Sequence, residues 1–456
     1  MNIKVFFAVA ACKSTRFMLR ILKRGGTALP GKVALRLCPD LLRHLSRGVD
    51  VVAVTGTNGK TTSSRIIEQV FVNAGVSYFS NKSGSNLMQG ITTEFAINAT
   101  LSGKPKNKYA VIECDEAASK KVFEYMNPKV ILVTNVFRDQ LDRYGEVTHT
   151  LENIKVGVKN APDAVVCLNA DCSLTVSVAD SIPNRIVYFG VDTEIYKDRV
   201  QELSDATHCI HCRAEYEYSY VTYGHLGGFY CPSCGYKRPD AQIAATRVIS
   251  QDADSSSVKL RAFNETRNLT INLPGGYNIY NAVGSIAAAT QMGFQLDTAV
   301  EAAGSFECGF GRMEKFELDG VPVRMILVKN PAGCNQVLNF LNNIDGDALF
   351  VVCLNDKIAD GTDVSWIWDV DFEKLSNLGD HLSGVLVSGI RAEDMAVRIK
   401  YAAIGEGKTT VIKDYSELIK TITSQDKPVF IMPTYTAMLD LREQISKDYD
   451  YKEFWQ

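Results

Sequence analysis

The sequence predicts an α/β protein with two mostly parallel sheets and one small antiparallel insert. Short apolar segments alternate with helical stretches from Val49 to Phe189, which is typical of strand–helix units. The alternation stops around residues 204–240 and resumes from about Glu314. The 456 residues are enough for two or three domains of this kind.

The apolar segments give the expected strands in chain order. The first series comprises residues 49–54, 109–113, 130–134, 164–168 and 185–189. The second series comprises residues 322–328, 348–354, 384–387, 409–412 and 428–432. Helices are expected from Thr61 to Ala74 and from Ser285 to Gly293, and a linker from Gly25 to Gly31.

These elements divide the chain into three parts. Residues 1–48 form a basic helical segment. Residues 49–313 form an α/β domain that contains the insert at residues 204–240. Residues 314–456 form a second, Rossmann-like α/β domain.

The first 48 residues carry ten Lys or Arg residues and a single acid, Asp40. The cations from Lys13 to Arg24 share one face of a predicted helix. Such a helix either packs on the next domain or is attracted to anionic lipid head groups, at about 1 kcal/mol per cation. The longest apolar run here, Val5 to Cys12, is too short to cross a bilayer.

The insert contains four cysteines with the spacing of a zinc site. The pairs Cys209-x2-Cys212 and Cys231-x2-Cys234 are separated by 18 residues. Four thiolates bind Zn²⁺ tetrahedrally and leave no open position, so we expect a structural zinc ribbon. Residues 205–240 contain three basic residues against four acids, so nucleic acid is not expected as a partner.

A glycine-rich loop, Thr55-Gly56-Thr57-Asn58-Gly59-Lys60-Thr61-Thr62, lies between the first predicted strand and its helix. In such a loop, backbone N–H groups and the positive end of the helix attract phosphates. The Lys60 ammonium adds a charge, and the Thr61 hydroxyl can ligate Mg²⁺. Val54 stands where the general pattern has its first glycine.

This loop resembles that of the Mur ligase and folylpolyglutamate synthetase superfamily, whose members use ATP to convert a carboxylate into an acyl phosphate that an amine attacks. Four further segments are similar to segments of that family: Gly90-Ile91-Thr92-Thr93-Glu94, Thr134-Asn135-Val136-Phe137-Arg138-Asp139-Gln140-Leu141-Asp142, Tyr277-Asn278-Ile279-Tyr280-Asn281-Ala282 and Gly311-Arg312-Met313-Glu314. Gln140 stands where family members usually have His.

The resemblance implies roles for individual residues. Thr61 and Glu113 would ligate Mg²⁺, Asn281 would contact adenine, and Arg312 would reach the γ-phosphate. Glu113 could equally be a strand-end carboxylate satisfied by backbone, and Asn281 a helix N-cap. The loop residues that would bind ATP are Thr57, Asn58, Gly59, Lys60, Thr61 and Thr62.

Ordinary Mur ligases lack a zinc ribbon. A Mur-ligase-like chain with an embedded ribbon and a divergent C-terminal domain, including the stretch from Leu354 to Asp369, resembles the Mur-ligase-like subunit of bacterial lipid II isoglutaminyl synthase. The resemblance implies ATP-dependent amidation of the α-carboxylate of D-glutamate in the lipid II stem peptide. Ammonia would come from glutamine, hydrolysed by a separate glutaminase subunit, GatD, in a heterodimer. No cysteine here lies in a Gly-x-Cys-x-Gly motif, which agrees with that division.

The same resemblance suggests that Asp356, just after the predicted strand 348–354, orients the His of the partner's Cys–His pair. Asp356 could instead cap the turn after the strand, and Asp360, Asp363 and Asp369 are rivals for the role. The basic segment would hold the enzyme at the inner face of the plasma membrane, where lipid II lies. A cytoplasmic, peripheral location is therefore expected.

Two other functions stay open at this point. A stand-alone ligase would add an amino acid to a cell-wall precursor or a folate without a partner. A nucleotide-dependent scaffold would bind ATP and dock through its ribbon without turnover.

Overall fold

The computed structural model describes residues 2–22, 26–81, 85–138, 147–195, 205–252, 254–306, 312–342, 346–405, 407–449 and 451. The strands are β1 (Asp50–Thr55), β2 (Tyr78–Ser80), β3 (Tyr109–Glu113), β4 (Val130–Val133), β5 (Val165–Asn169), β6 (Ile186–Val191), β7 (Glu217–Tyr223), β8 (Leu226–Tyr230), β9 (Ile243–Gln251), β10 (Ser256–Ala262), β11 (Glu265–Ile271), β12 (Arg312–Leu318), β13 (Val321–Ile326), β14 (Ala348–Cys353), β15 (Leu382–Ser388), β16 (Thr409–Val411) and β17 (Val429–Pro433).

The α-helices are α1 (Ile3–Ile21), α2 (Ala28–Leu37), α3 (Leu41–Leu45), α4 (Lys60–Asn73), α5 (Met88–Ile97), α6 (Glu116–Tyr125), α7 (Val147–Lys159), α8 (Ser173–Val176), α9 (Gly276–Met292), α10 (Leu296–Ser305), α11 (Pro331–Leu341), α12 (Ala392–Tyr401), α13 (Tyr415–Thr423) and α14 (Tyr435–Tyr449). Short 3-10 helices lie at Ala179–Ser181, Ser365–Asp369 and Phe372–His381.

Nine of the described strands form the first sheet, in the order β11-β10-β9-β6-β5-β4-β1-β3-β2. Strands β1 to β6 and β9 pair in parallel, and β9, β10 and β11 form an antiparallel meander at one edge. The central parallel strands β1, β3, β4 and β5 are buried on both faces along most of their length, which explains their nearly continuous apolar sequences. The apolar segments predicted β1 and β3 to β6, but neither β2 nor the meander.

Six strands form the second sheet, in the order β12-β13-β17-β14-β15-β16. All neighbours except β12 and β13 pair in parallel. The carboxyl ends of β13, β17, β14 and β15 therefore meet at one edge, where sheets of this type place their sites. We call this edge the second-sheet edge.

The ribbon hairpin, β7 and β8, forms a separate two-stranded sheet. It belongs to the connection between the parallel neighbours β6 and β9. Cys209 and Cys231 pack with Tyr216, Phe229 and Val176 in a small core of their own.

The N-terminal helices α1 to α3 pack on one another and on α5. The prediction of a linker from Gly25 to Gly31 was wrong from Ala28 onward, because α2 begins there, and Gly25 lies outside the described residues. Pro30 is tolerated in the first turn of a helix, where its missing N–H leaves no hydrogen bond unmade. At Gly31, a Cβ would lie 1.8 Å from the backbone oxygen of Gln89, so only glycine permits this close approach of α2 to α5.

The alanine-rich helix is longer than predicted. Helix α9 begins at Gly276, after Gly275 in the left-handed region with φ +87°, and continues to Met292. Asn281 is therefore in the body of the helix rather than at its N-cap, which corrects that alternative. No helix among the described residues is both long enough and apolar enough to span a membrane.

Candidate functional site

The phosphate loop connects the carboxyl end of β1 to α4. Gly56 and Gly59 both have positive φ, +115° and +86°, which glycine adopts without strain. A Cβ on Gly59 would lie 2.1 Å from Oδ1 of Asn281, so the loop is packed directly against α9. The sequence predicted these two segments to contact the same nucleotide, and the structure brings them together.

The end of β4 holds the loop in shape. Thr134 donates its hydroxyl to the carbonyl of Asn58 (2.7 Å). Asn135 accepts from the Asn58 N–H at Oδ1 (3.0 Å), and its own carbonyl accepts from the Thr57 N–H (2.9 Å). The family-like segment Thr134–Asp142 thus begins by clamping the loop, a role that sequence reasoning did not assign. Its last four residues, including Gln140, lie outside the described residues.

Lys60 is buried and paired with Glu116, at the start of α6. Its Nζ lies 2.6 Å from Oε1 of Glu116 and 2.6 Å from the Gly56 carbonyl oxygen. Burial raises the pKa of Glu116, while the neighbouring Lys60 and Lys329 lower it. Sequence reasoning missed Glu116, which supplies the lysine's charge partner.

The expected magnesium ligands are adjacent. The Thr61 hydroxyl donates to Oε2 of Glu113 over 2.8 Å. A hydroxyl and a carboxylate at the mouth of a phosphate loop are the oxygen donors that Mg²⁺ takes together with substrate phosphates. The two residues fit the ion, and the partner of the Glu113 carboxylate is a hydroxyl rather than backbone.

A cleft beside the loop separates the first sheet from the second. It contains about 810 Å³ of empty space, including space open to solvent, which is ample for a nucleotide. Its lining includes Asn58, Asn281, Tyr223 and Lys329. On the side of the cleft near Asn281, apolar and amide side chains are suited to contact a purine base. On the side of the phosphate loop, the cleft is suited to bind phosphates.

Two contacts join the phosphate loop region to the C-terminal domain, β12 to α14. Asn330, the N-cap of α11, donates from Nδ2 to Oδ1 of Asn58 over 3.0 Å. The Arg138 guanidinium lies 2.9 Å from Oδ2 of Asp369. Both contacts close the cleft from the side of the second-sheet edge. The Asp369 carboxylate therefore forms an ion pair between the two domains.

The four predicted zinc ligands converge. Their Sγ atoms all lie within 4.8 Å of one another, with Cys209 and Cys234 3.5 Å apart and Cys212 and Cys231 3.4 Å apart. Four thiolates around a tetrahedral Zn²⁺ lie about 3.8 Å apart at Zn–S bonds of about 2.3 Å. The donor set and its spacing fit the metal.

The ribbon hairpin reaches the nucleotide cleft. Tyr223, the last residue of β7, lines the cleft and stacks on Phe137 with ring centroids 5.8 Å apart and planes 8° apart. The preceding residue, Thr222, is hydrogen-bonded to the Tyr280 hydroxyl, which donates to Asp171. Tyr280 directly precedes Asn281 in α9. The ribbon therefore supports the side of the cleft that Asn281 lines, which its sequence did not indicate.

Asp356 lies at the second-sheet edge, after β14. Its Oδ2 accepts from Arg391 over 2.9 Å, and its side chain is 28% exposed. The rivals are occupied: Asp360 is buried and accepts from the backbone N–H and hydroxyl of Thr436, and Asp363 caps the N–H of Ser365. Asp356 is thus the accessible carboxylate among the four that is not used to hold a turn or a domain contact.

Arg312 is the first residue of β12, and its side chain lies outside the described residues. Its neighbour Met313, with φ +64°, lines the cleft. The structure thus brings together the phosphate loop, Glu113 and Asn281. Asp356 lies on the same second-sheet edge as Lys329, because Lys329 follows β13 and Asp356 follows β14, two strands away.

Fold and site together define an ATP-dependent ligase of the Mur type. Residues 54–230 match the Mur ligase middle domain, and residues 327–438 match the MurT ligase C-terminal domain. The chain is 34% identical over 448 residues to the MurT subunit of lipid II isoglutaminyl synthase (glutamine-hydrolyzing) from Streptococcus pneumoniae, covering 98% of each chain. It is 32% identical to the same subunit from Staphylococcus aureus, over 97% of this chain and 98% of the relative. The chain belongs to the family of MurT subunits of lipid II isoglutaminyl synthase.

Solved structures agree on the fold. A pseudomurein peptide ligase type C from Methanothermus fervidus superposes with a TM-score of 0.68 at 20% identity, over 90% of this chain and 81% of that one. The MurF ligase of Thermotoga maritima, solved in complex with ADP, gives 0.62 at 16% identity, over 91% and 84%. The predicted Mur-ligase-like fold is confirmed.

Proposed function

We propose that this chain is the synthase subunit that uses ATP to amidate the α-carboxylate of D-glutamate in the lipid II stem peptide, giving D-isoglutamine. The observation that carries the proposal is the shared second-sheet edge. It holds Lys329 at the nucleotide cleft, Asn330 in contact with Asn58 of the phosphate loop, and Asp356 two strands away. An ATP site and a partly exposed carboxylate on one edge suit a reaction in which a partner supplies the nucleophile.

In the proposed reaction the substrate carboxylate attacks the γ-phosphorus, and ADP leaves with the bridging oxygen. Ammonia then attacks the acyl carbon, phosphate leaves with the carboxylate oxygen, and a proton is lost from nitrogen. The loop N–H groups and Lys60 hold the phosphates in line. Mg²⁺ between Thr61 and Glu113 would neutralise charge on the phosphates.

The ammonia source is proposed to be a glutaminase subunit, GatD, docked at the C-terminal domain. Two exposed apolar side chains flank the carboxylate: Ile358 is 85% exposed and Ile390 is 52% exposed. Exposed apolar residues beside a functional carboxylate favour a protein interface. Arg391 occupies Oδ2 of Asp356, and the other oxygen would accept from the partner's imidazole N–H.

The test compares amine sources with lipid II and ATP. We expect amide formation with ammonium alone, and with glutamine only after the glutaminase subunit is added. A stand-alone ligase would instead join an amino acid to its substrate without a partner. A scaffold would bind ATP with no hydrolysis, and either result would overturn the proposal.

A further inference from the structure

Helix α1 has two apolar faces, and protein covers one of them. Val5, Ala8, Val9 and Cys12 form the covered face, each at most 3% exposed, and the helix packs against α2 and α5. The opposite face carries six large apolar side chains that are 59–67% exposed: Ile3, Phe7, Phe17, Met18, Ile21 and Leu22. At the helical repeat they fall within a sector of roughly 140°. We call these six residues the α1 stripe.

Charges on α1 are arranged around this stripe. Exposed Lys4 and Arg20 lie toward its two edges, and Lys23 and Arg24 follow in the sequence. No acidic residue occurs from residue 2 to residue 24. An exposed apolar stripe bordered by cations matches an anionic lipid surface, since the bilayer interface accepts the apolar face and its head groups attract the cations.

Two of the cations that the sequence places on one helical face are used inside the protein, which agrees with the alternative that this face packs on the next domain. Lys13 donates to the carbonyl of Ala99, and Arg16 lies 3.0 Å from Glu94 of α5. The outward surface of α1 is therefore apolar with charged borders, rather than the cationic face that the spacing suggested.

The direction of α1 determines which end of the stripe lies nearer to the nucleotide cleft. Lys13 meets Ala99 just past the end of α5, whereas Arg16 meets Glu94 within it, so α1 runs antiparallel to α5. The last part of the stripe thus lies toward the start of α5. Asn86, two residues before that start, accepts from the Asp115 N–H, close to the Mg²⁺ ligand Glu113.

We propose that the α1 stripe inserts into the interface of an anionic bilayer and presents the cleft to a lipid-linked substrate. The choice of substrate rests on the proposed function, whereas the membrane contact rests on α1 alone. Helices of this kind bury their apolar face about 5–10 Å into the head-group boundary. That depth is enough for the rings of Phe7 and Phe17.

The test is co-sedimentation of the full chain with phosphatidylcholine vesicles, with and without phosphatidylglycerol and without substrate. We expect binding to the phosphatidylglycerol vesicles. The double variant Phe17→Ser/Ile21→Ser should reduce partitioning by at least about tenfold, and Arg20→Gln by about fivefold at low salt. Ile249→Ser, at a 52% exposed site on β9, is the matched control and should bind as the parent does.

Three results would overturn the inference: no vesicle binding by the parent, undiminished binding by the double variant, or a dimer or glutaminase complex that only the double variant loses. Amidation of a water-soluble stem-peptide analogue should not require the α1 stripe, so we expect the double variant to retain this activity. Lost vesicle binding with this activity intact supports the inference. Absent activity with vesicle binding intact counts against the proposed function alone.

Discussion

Asn330 of the C-terminal domain donates a hydrogen bond to Asn58 of the phosphate loop, with Nδ2 and Oδ1 3.0 Å apart. The same Asn330 side chain caps α11 by accepting from the Gly333 N–H. A single amide therefore fixes a helix start and ties it to the loop. The position of the C-terminal domain and the shape of the loop are coupled at this point.

Replacing Asn330 should weaken nucleotide binding. In Asn330→Ala both hydrogen bonds are lost, and a typical loss of about 1 kcal/mol for the interdomain bond corresponds to roughly fivefold weaker ATP binding. Isothermal titration with ATP and Mg²⁺ measures this. Asn73→Ala, on the exposed end of α4, is the matched control. Equal ATP affinity in both variants would show that the hydrogen bond between Asn330 and Asn58 does not affect nucleotide binding.

The Lys60–Glu116 ion pair predicts that a second substitution can restore the stability lost in a Lys60 variant without restoring its activity. Lys60→Met leaves the buried Glu116 carboxylate without its partner, which costs about 3–5 kcal/mol of unfolding free energy. Lys60→Met/Glu116→Gln should recover most of that loss while ATP hydrolysis stays abolished. Thermal unfolding and phosphate release measure the two effects.

The folding stability of the Lys60→Met variant should also depend on pH. Burial raises the pKa of Glu116, and removal of Lys60 takes away an opposing charge, so the pKa rises further. The folded state then binds more protons than the unfolded state above about pH 4.3, the ordinary glutamate value. Stability of Lys60→Met should therefore fall as pH rises through the folded-state pKa. A stability difference from the parent that is constant with pH would contradict this.

Zinc removal should weaken ATP binding as well as unfold the ribbon. The four cysteines converge beside the hairpin, where a bound ion would hold it, and the hairpin carries Tyr223 to the cleft wall. Cys209→Ser/Cys234→Ser should lose one equivalent of zinc and bind ATP at least about fivefold more weakly, by loss of aromatic contacts. Elemental analysis and ATP titration measure both.

A second variant isolates the tyrosine from the metal. Tyr223→Leu should retain zinc yet weaken ATP binding. Tyr230→Leu, at a 43% exposed position on the same hairpin, should retain zinc and bind ATP as the parent does. Parent-like ATP affinity in the zinc-free variant would mean that the ribbon serves another purpose.

Asp356→Asn should separate the two nitrogen sources. Loss of the carboxylate should reduce glutamine-dependent amidation by at least about a hundredfold in the presence of the glutaminase, by the logic of a catalytic triad. Amidation with ammonium and ATP affinity should be unchanged. Asp363→Asn, which removes a turn cap, is the control. Unimpaired glutamine use by Asp356→Asn would remove this residue from the proposed triad.

Local sequence patterns were sufficient where a structure is built from neighbouring residues. Buried parallel strands such as β4 are continuous apolar runs, and the phosphate loop and cysteine pairs have fixed spacings. The antiparallel meander from β9 to β11 was missed because charged residues such as Lys259 interrupt its strands on the exposed side. Helix α9 was shortened because its first turns, around Tyr277, are poor in alanine and are stabilised by burial instead.

The site itself depends on partners far apart in the chain. Lys60 and Glu116 are separated by 56 residues, and Asn58 and Asn330 by 272. No spacing within one sequence indicates such pairs, because they arise from the order of strands in two sheets. Tyr223 was missed for a related reason: a tyrosine in a zinc ribbon has no local mark that distinguishes a core ring from one at a cleft.

The position of the ribbon between β6 and β9 has a consequence for how the first sheet assembles. Fifty-one residues separate Val191 from Ile243, the ends of two strands that must pair side by side. Closing so long a connection costs conformational entropy that grows with its free length. A metal ion bound between Cys209 and Cys234 would shorten the free length of this connection before the strands meet. Zinc supply during synthesis would then set how readily the sheet closes, and with it the yield of folded enzyme.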